Sequence, residues 1–424
     1  MPASPSTARA INDRLALDHL QREGPLTAGQ LKELTGLSRP SVADLVERLQ
    51  GAGIIAVVGE AGARRRGPNA RLYGIVADRA HLAALDVRTH SVTVAVTDLL
   101  GAVLAEDSLP VTSDAATGPA VERAVALVER TARAGGATRL HSVGVGAPGL
   151  IDPASGELRD STGLPAWHRR LVAALQDRLP ARVLVENEVN LAARAEQRDG
   201  AAADRDTFVL LWLDEGVGAA VVLDGVLRRG ASGGAGEIGF LPVPGTAGLP
   251  SATGCDGGFH SLTCAAAVRD LAAEHGVPGA AGADAAGLLR DAAAADAAAA
   301  DAGTGTGQGA EGDAGTGGDA AMKAYGAFLD TLADRVAVGA AAVAALLDPG
   351  CVVLGGAVGR AGGAALADRV AERVAALSPL RTGIRASALG GGAVLRGALL
   401  TARDAAQEEL FGPRYLNGRV SPGS

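Results

Sequence analysis

The stretch from Ser142 to Glu196 constrains this chain most, because it holds two short apolar β-runs that each end in a chemistry-bearing turn. Ser142–Val145 enters Gly146-Ala147-Pro148-Gly149, and Val183–Val185 delivers Glu186-Asn187-Glu188 into a helix continuing through Leu191–Gln197. Strands that feed turns and helices in this way belong to an α/β architecture. Open α/β sheets place their ligands at strand ends, so an Asn beside an acid there suggests a hydroxyl-binding site. Spacing alone also fits a surface turn that only caps a helix.

At 424 residues the chain is too long for one core, and two or three domains are expected. Aromatics are only 2% of residues against 48% apolar in all, so the cores have to be built from Ala, Val and Leu. Cys255, Cys264 and Cys351 are too few and scattered for a disulfide framework, which points to a cytoplasmic chain. The start, MPASPSTARA, lacks the apolar core of a signal peptide, and no apolar run reaches the roughly 18 residues of a membrane helix. Charge is uneven: residues 1–75 hold ten Arg or Lys against seven Asp or Glu, and the remainder 29 against 40. A basic head on an acidic body predicts that only the head meets a polyanion.

The head reads as helices. Ala8–Glu23 carries Ile11, Leu15 and Leu20 at near-helical spacing, and Gly24-Pro25 stops it. Thr27 with Gln30 has capping-box spacing, Gly36 is a C-cap, and Ser38 opens the next helix after a short turn. In that third helix Val42, Leu45, Val46 and Leu49 share an arc, while Ser38, Arg39, Ser41, Asp44 and Arg48 lie outside it. Helix, short turn, helix is the helix-turn-helix arrangement, whose second helix enters the major groove N-terminus first. Ile54–Val58 and Arg71–Ile75 then read as a hairpin around Arg64-Arg65-Arg66, a wing whose arginines would repel one another without phosphates nearby. The head is therefore expected over residues 1–76 and its partner is expected to be a double-stranded DNA operator. Ser38, Arg39, Ser41 and Arg48 are the groove candidates, and Arg64, Arg65, Arg66 and Arg71 the wing candidates.

From Leu82 the pattern turns to α/β. Leu82–Leu85, Val92–Val96 and Ala102–Leu104 read as a β-meander with a turn at Asp98-Leu99-Leu100-Gly101, and Pro119–Ala134 as a helix. A second lobe starts with strand Thr207–Leu213. Helix Ala324–Leu347 places Phe328, Leu332 and Val336 on one face, and strand Cys351–Leu354 leads to the final helix Val394–Leu410. Residues 279–321 are Ala-, Gly- and Thr-rich. They read as a surface insertion without chemistry, its Gly/Thr half disordered and its Ala half, near Leu288–Ala300, a marginal helix.

G-x-G-x-P-G-x-x-D followed by E-N-[DE]-x-N-x-x-A resembles the ROK family of bacterial repressors and sugar kinases, and the resemblance runs from about Leu82 to Phe411. It implies a two-lobed, actin/hexokinase-like α/β body behind the winged helix-turn-helix. The lobes are expected at 80–200 and 201–424, with the last helix returning to the first. It also implies sugar-hydroxyl contacts at Asn187 and Glu237, with Glu188 beside them.

The kinase members of this family use three features. Their phosphate loop resembles D-x-G-G-T, whose glycines let backbone amides approach phosphate; here it reads Asp86-Val87-Arg88-Thr89-His90. Their second Gly-rich turn is Asp214-Glu215-Gly216-Val217-Gly218 here, and each carboxylate facing a triphosphate costs about 1 kcal/mol even at solvent-like dielectric. Their general-base Asp is Glu188, a displacement of about an ångström that can cost roughly a hundredfold in rate. The sugar pocket is thinned as well, because a family His is Phe240 and a family Asn is Gly163. Of the family's zinc cluster only Cys255, with His260 nearby, remains, too few for a structural metal, so neither metal nor cofactor is expected.

The reading is a sugar-sensing DNA-binding regulator, implied by the resemblance to be a repressor and dimeric or larger. It is not expected to be an enzyme. A sugar kinase with an appended head and a ligand-independent regulator with a decayed pocket stay open.

Overall fold

The computed structural model describes residues 5–61, 70–112, 116–152, 154–155, 158, 167–304 and 315–412. Its first elements are α1 (Pro5–Glu23), β1 (Leu26–Thr27), α2 (Ala28–Thr35), α3 (Arg39–Gly51), β2 (Ile55–Ala61) and β3 (Ala70–Ile75). The caps are those the residues dictate. Thr27 and Gln30 close a capping box at α2, Gly36 ends that helix at φ 69°, and Ser38 Oγ accepts the Ser41 N–H at the start of α3. β1, β3 and β2 form a small antiparallel sheet in that order, pairing Leu26 with Tyr73 and Ile55 with Ile75. Helix, turn, helix and hairpin make a winged helix-turn-helix.

Next come β4 (His81–Arg88), β5 (Ser91–Asp98), β6 (Val103–Pro110), α4 (Thr117–Ala134), β7 (Leu140–Ala147), α5 (Trp167–Arg178), β8 (Arg182–Asn187) and α6 (Glu188–Asp199). Their sheet runs β6-β5-β4-β7-β8, with antiparallel β4–β5 and β5–β6 ladders. The expected turn after β5 is held by Asp98, whose Oδ1 accepts the N–H groups of Leu100, Gly101 and Ala102.

The remainder comprises β9 (Phe208–Leu213), β10 (Val217–Leu223), β11 (Val226–Arg228), α7 (His260–Thr263), α8 (Ala265–Glu274), α9 (Ala285–Thr304), α10 (Gly315–Leu347), β12 (Cys351–Gly355), α11 (Gly356–Leu377), β13 (Gly383–Ala386) and α12 (Ala393–Leu410). The second sheet, β11-β10-β9-β12-β13, repeats the strand order of the first: meander at one side, parallel β12 and β13 at the other.

The chain divides into two compact units, residues 1–145, 165–184 and 398–424 in one and 146–164 and 185–397 in the other. The division falls inside β7, β8 and α12. In the first unit the head is not closed on itself. Its core residues Leu17, Leu45 and Leu49 form one cluster with Leu82, Leu99, Ala402, Ala406, Leu410 and Phe411, so the end of α12 completes the interior of the head. In the second unit, Phe328, Leu332 and Val336 are buried as expected, with Val209, Leu211 and Leu354.

Residues 279–321 need correction. The Ala half is α9, and Ala285, Leu288, Leu289 and Ala292 are buried in the same core as Phe328. Asp296 ties α9 to Arg369 of α11 at 2.6 Å. Alanines let helices approach closely, so a segment poor in bulk still packs as an inner element. Residues 305–314, the Gly/Thr half, lie outside the described residues.

Candidate functional site

In the head, α3 presents Arg39 and Ser41 to solvent in its first turn. Ser38 and Ser41 also hold each other, with their hydroxyls 2.9 Å apart. Arg48 is engaged inward. Its Nε donates to Asp13 Oδ2 at 3.1 Å and its Nη1 to Asp44 Oδ2 at 2.7 Å, and the Asp13 side chain is only 3% exposed. Those carboxylates push the Arg48 pKa further up. Its bonds to Asp13 clamp α3 on α1. Arg71 is exposed on β3, opposite Glu60 of β2. Arg64, Arg65 and Arg66 lie outside the described residues.

The ligand candidates Asn187, Glu188 and Glu237 all lie in the second unit. Asn187 ends β8 and caps α6: its Oδ1 accepts the N–H of Val189 at 2.8 Å and of Asn190 at 3.3 Å. Its Nδ2 donates to Gly149 O at 3.0 Å and leans on Glu188 Oε2 at 3.4 Å. One side chain thus caps α6 and fixes the Gly149 turn against the first residue of α6. Glu186, buried, accepts from the backbone N–H of Asn187 and from Asn190 Nδ2, and pairs with Arg229 at 2.6 Å. Arg229 was not legible as part of this arrangement, although a buried acid in the Glu186-Asn187-Glu188 run called for a counter-charge.

Arg229 leads to Glu237. Ala235 N–H donates to Arg229 O at 3.1 Å, opening the turn Gly234-Ala235-Gly236-Glu237. Gly236 stands at φ 94°, and a Cβ there would collide with the Ala219 carbonyl, whose own N–H donates to Gly236 O at 2.7 Å. A Cβ on Gly234 would meet both Leu150 and Glu237, so the Gly149-Leu150 turn and the Glu237 turn are neighbours. Glu237 is open to solvent yet surrounded closely enough that desolvation raises its carboxyl pKa. Phe240, in place of a polar residue, is 40% exposed on the following turn. A solvent-facing acid, Glu237, thus stands on a turn that neighbours the Gly149-Leu150 turn held by Asn187. Gly163 lies outside the described residues.

The turns at Thr89-His90 and Asp214 carry internal bonds. Thr89-His90 is a tight two-residue connection between paired Arg88 and Ser91, and Arg88 Nε is bound to Asp86 at 3.0 Å. In the other unit Asp214 Oδ2 accepts the Ala357 N–H at 3.0 Å, at the N-terminus of α11, and Asp214 O accepts from Ala265 at 2.9 Å. A helix N-terminus is where phosphate oxygens bind, and here the chain supplies its own carboxylate. Cys255 is half-buried, and the described residues contain no group of three metal-ligating side chains.

A model of the ROK family matches residues 82–405, and a MarR family model matches residues 11–66. The DNA-binding transcriptional dual regulator NagC of Escherichia coli is 27% identical over 243 residues, 55% of this chain and 58% of that protein. The match thus spans little more than half of that relative. A crystal structure of a ROK family transcriptional regulator, a homolog of the E. coli MLC protein, covers 97% of this chain and all of its own at TM-score 0.72 and 20% identity. A ROK family glucokinase from Streptomyces griseus, in complex with glucose and AMPPNP, covers 77% of this chain and all of its own at TM-score 0.60 and 23% identity. These two establish likeness of fold; the family model, spanning well over half of the residues, establishes kinship, and the chain belongs to the ROK family.

Proposed function

We propose that this protein is a DNA-binding transcriptional regulator, a repressor of carbohydrate-metabolism genes, whose ROK body binds a sugar or sugar derivative without phosphorylating it. The observation that carries the reading is the union, in one chain, of a MarR-like winged head with a ROK body. NagC, similar to this chain over 243 residues, is itself described as a DNA-binding transcriptional dual regulator. Arg39 and Ser41 at the leading end of α3, with Arg64, Arg65, Arg66 and Arg71 of the wing, contact a duplex. Asn187, Glu188 and Glu237 receive the sugar hydroxyls. The Asp214 carboxylate on α11, the Arg88–Asp86 pair and Glu188 in place of Asp oppose nucleotide binding and transfer. Reading a two-fold operator calls for a homodimer or larger assembly.

Selection of bound duplexes from random oligonucleotides, followed by release with a panel of free monosaccharides, tests this. A recovered consensus released by one sugar class is expected. ATP consumption across the same panel would replace this reading with that of a sugar kinase.

Replacing Arg64, Arg65 and Arg66 together with Ala should weaken binding uniformly across sequences and flatten its dependence on salt, each lost phosphate contact lowering the slope by about one. A salt slope equal to wild type would remove the wing from the interface.

The site also predicts a pH dependence. Glu237 accepts ligand hydroxyls as a carboxylate, and its raised pKa means protonation begins at higher pH than for an ordinary Glu. Sugar affinity should therefore fall as pH is lowered from neutral through the acid range, starting above the pH at which an ordinary Glu would take up its proton, and Glu237→Gln should bind more weakly with a flatter profile. Calorimetric titration at several pH values measures this, and a wild-type affinity constant over that range counts against Glu237.

A further inference from the structure

The helix α12 runs unbroken across the boundary between the two units, residues 393–397 in one and 398–410 in the other. Its first part is bound to α6, the helix that Asn187 caps. Gly397 lies so close to the Leu191 carbonyl that no Cβ fits between them, and Arg396 pairs with Asp199 at 2.9 Å. The approach to α12 is held by α6 as well, since Glu196 accepts from Ser387 Oγ and from the N–H groups of Ala388 and Leu389. The far part of α12 belongs to the head side. Ala402 O accepts the Ser142 hydroxyl, Gln407 donates to Leu99 O, and Ala402, Ala406, Leu410 and Phe411 lie in the core of the head.

We propose that α12 is the coupling rod of this protein: displacement of α6 by a ligand at Asn187 and Glu188 is carried along α12 into the core from which α3 projects. A helix transmits axial and rotational shifts because its backbone bonds are internal, and a close-packed core answers such shifts by repacking rather than by smooth deformation. The contact at Gly397 leaves no slack for α6 to move without α12. The regulator reading supplies the purpose of this coupling, but the coupling itself is measurable without DNA or sugar.

Hydrogen–deuterium exchange on the full chain tests it. Gly397→Ala inserts a methyl between α6 and α12, and exchange in α1 and α3 of the head is expected to rise about 5- to 150-fold, the range of typical site-to-site couplings. Exchange in the second-unit core strand β12 should stay at its wild-type rate, which separates coupling from general loosening. Gly391→Ala, at a glycine with open space around it, is the control and should leave the head unchanged. Where Gly397→Ala fails to fold, Arg396→Ala removes the Asp199 pair and should act in the same direction more weakly. Coupling is reciprocal, so Phe411→Ala in the head should in turn raise exchange in α6. Wild-type exchange in the head of folded Gly397→Ala or Arg396→Ala, or in α6 of Phe411→Ala, overturns the proposal. If the wild-type chain selected no duplex while the exchange responses appeared, the regulator reading would fall and the rod would stand.

Discussion

Asp13→Ala should unfold the head locally and abolish operator binding while the second unit keeps its structure. Asp13 is a carboxylate with a side chain 3% exposed, joined at both oxygens to Arg48 of α3. Removing it leaves a guanidinium half inside a core without its main counter-charge, and breaking one partner of a buried pair costs about 3–5 kcal/mol. Circular dichroism melts of the full chain should show a new early transition, and exchange protection should vanish in α1 and α3. The paired replacement Asp13→Leu with Arg48→Met should recover most of the stability, since apolar pairs of similar volume often match buried ion pairs. A single Asp13→Ala melt superimposable on wild type would show that the pair is dispensable.

Glu196→Ala is the second large effect. This residue, on α6, is fully buried and gathers Ser387 Oγ, Ala201 N–H at 2.7 Å and two further backbone N–H groups at 3.4 Å. Truncation strands those donors and opens a cavity together, for a loss of about 3 kcal/mol or more. Glu196→Gln keeps the volume but turns an amine towards groups that are themselves donors, so it should lie between wild type and Ala. Denaturant titration resolves the series, and an Ala variant within about 0.5 kcal/mol of wild type would mean that water satisfies the loop.

Local structure was legible where short-range chemistry decides it. Thr27, Gln30, Gly36 and Ser38 each bear their own capping geometry, so the helices of the head could be placed from residues alone. The meander turn at Asp98 was legible for the same reason. Long-range partnerships were not. The partner of Arg48, Asp13, lies 35 residues away, and Arg229 meets Glu186 across 43. Strand order was equally hidden, because alternation fixes which face is buried and not which neighbour is taken. The segment around Leu288 and Leu289 was misread as surface because alanine carries little hydrophobic signal, whereas its small size is what admits α9 to the core. At Asn187 the motif pointed to hydroxyl contacts, whereas the bonds its side chain makes, capping α6 and holding Gly149, depend on a partner 38 residues away that the motif does not name.

The last turns of α12 sit among the apolar side chains of α1 and α3. During synthesis the head emerges from the ribosome before the body, yet the residues that finish its interior are made some 350 positions later, at Ala402 to Phe411. A nascent chain released up to the end of α11 therefore carries a head whose interior still lacks these side chains.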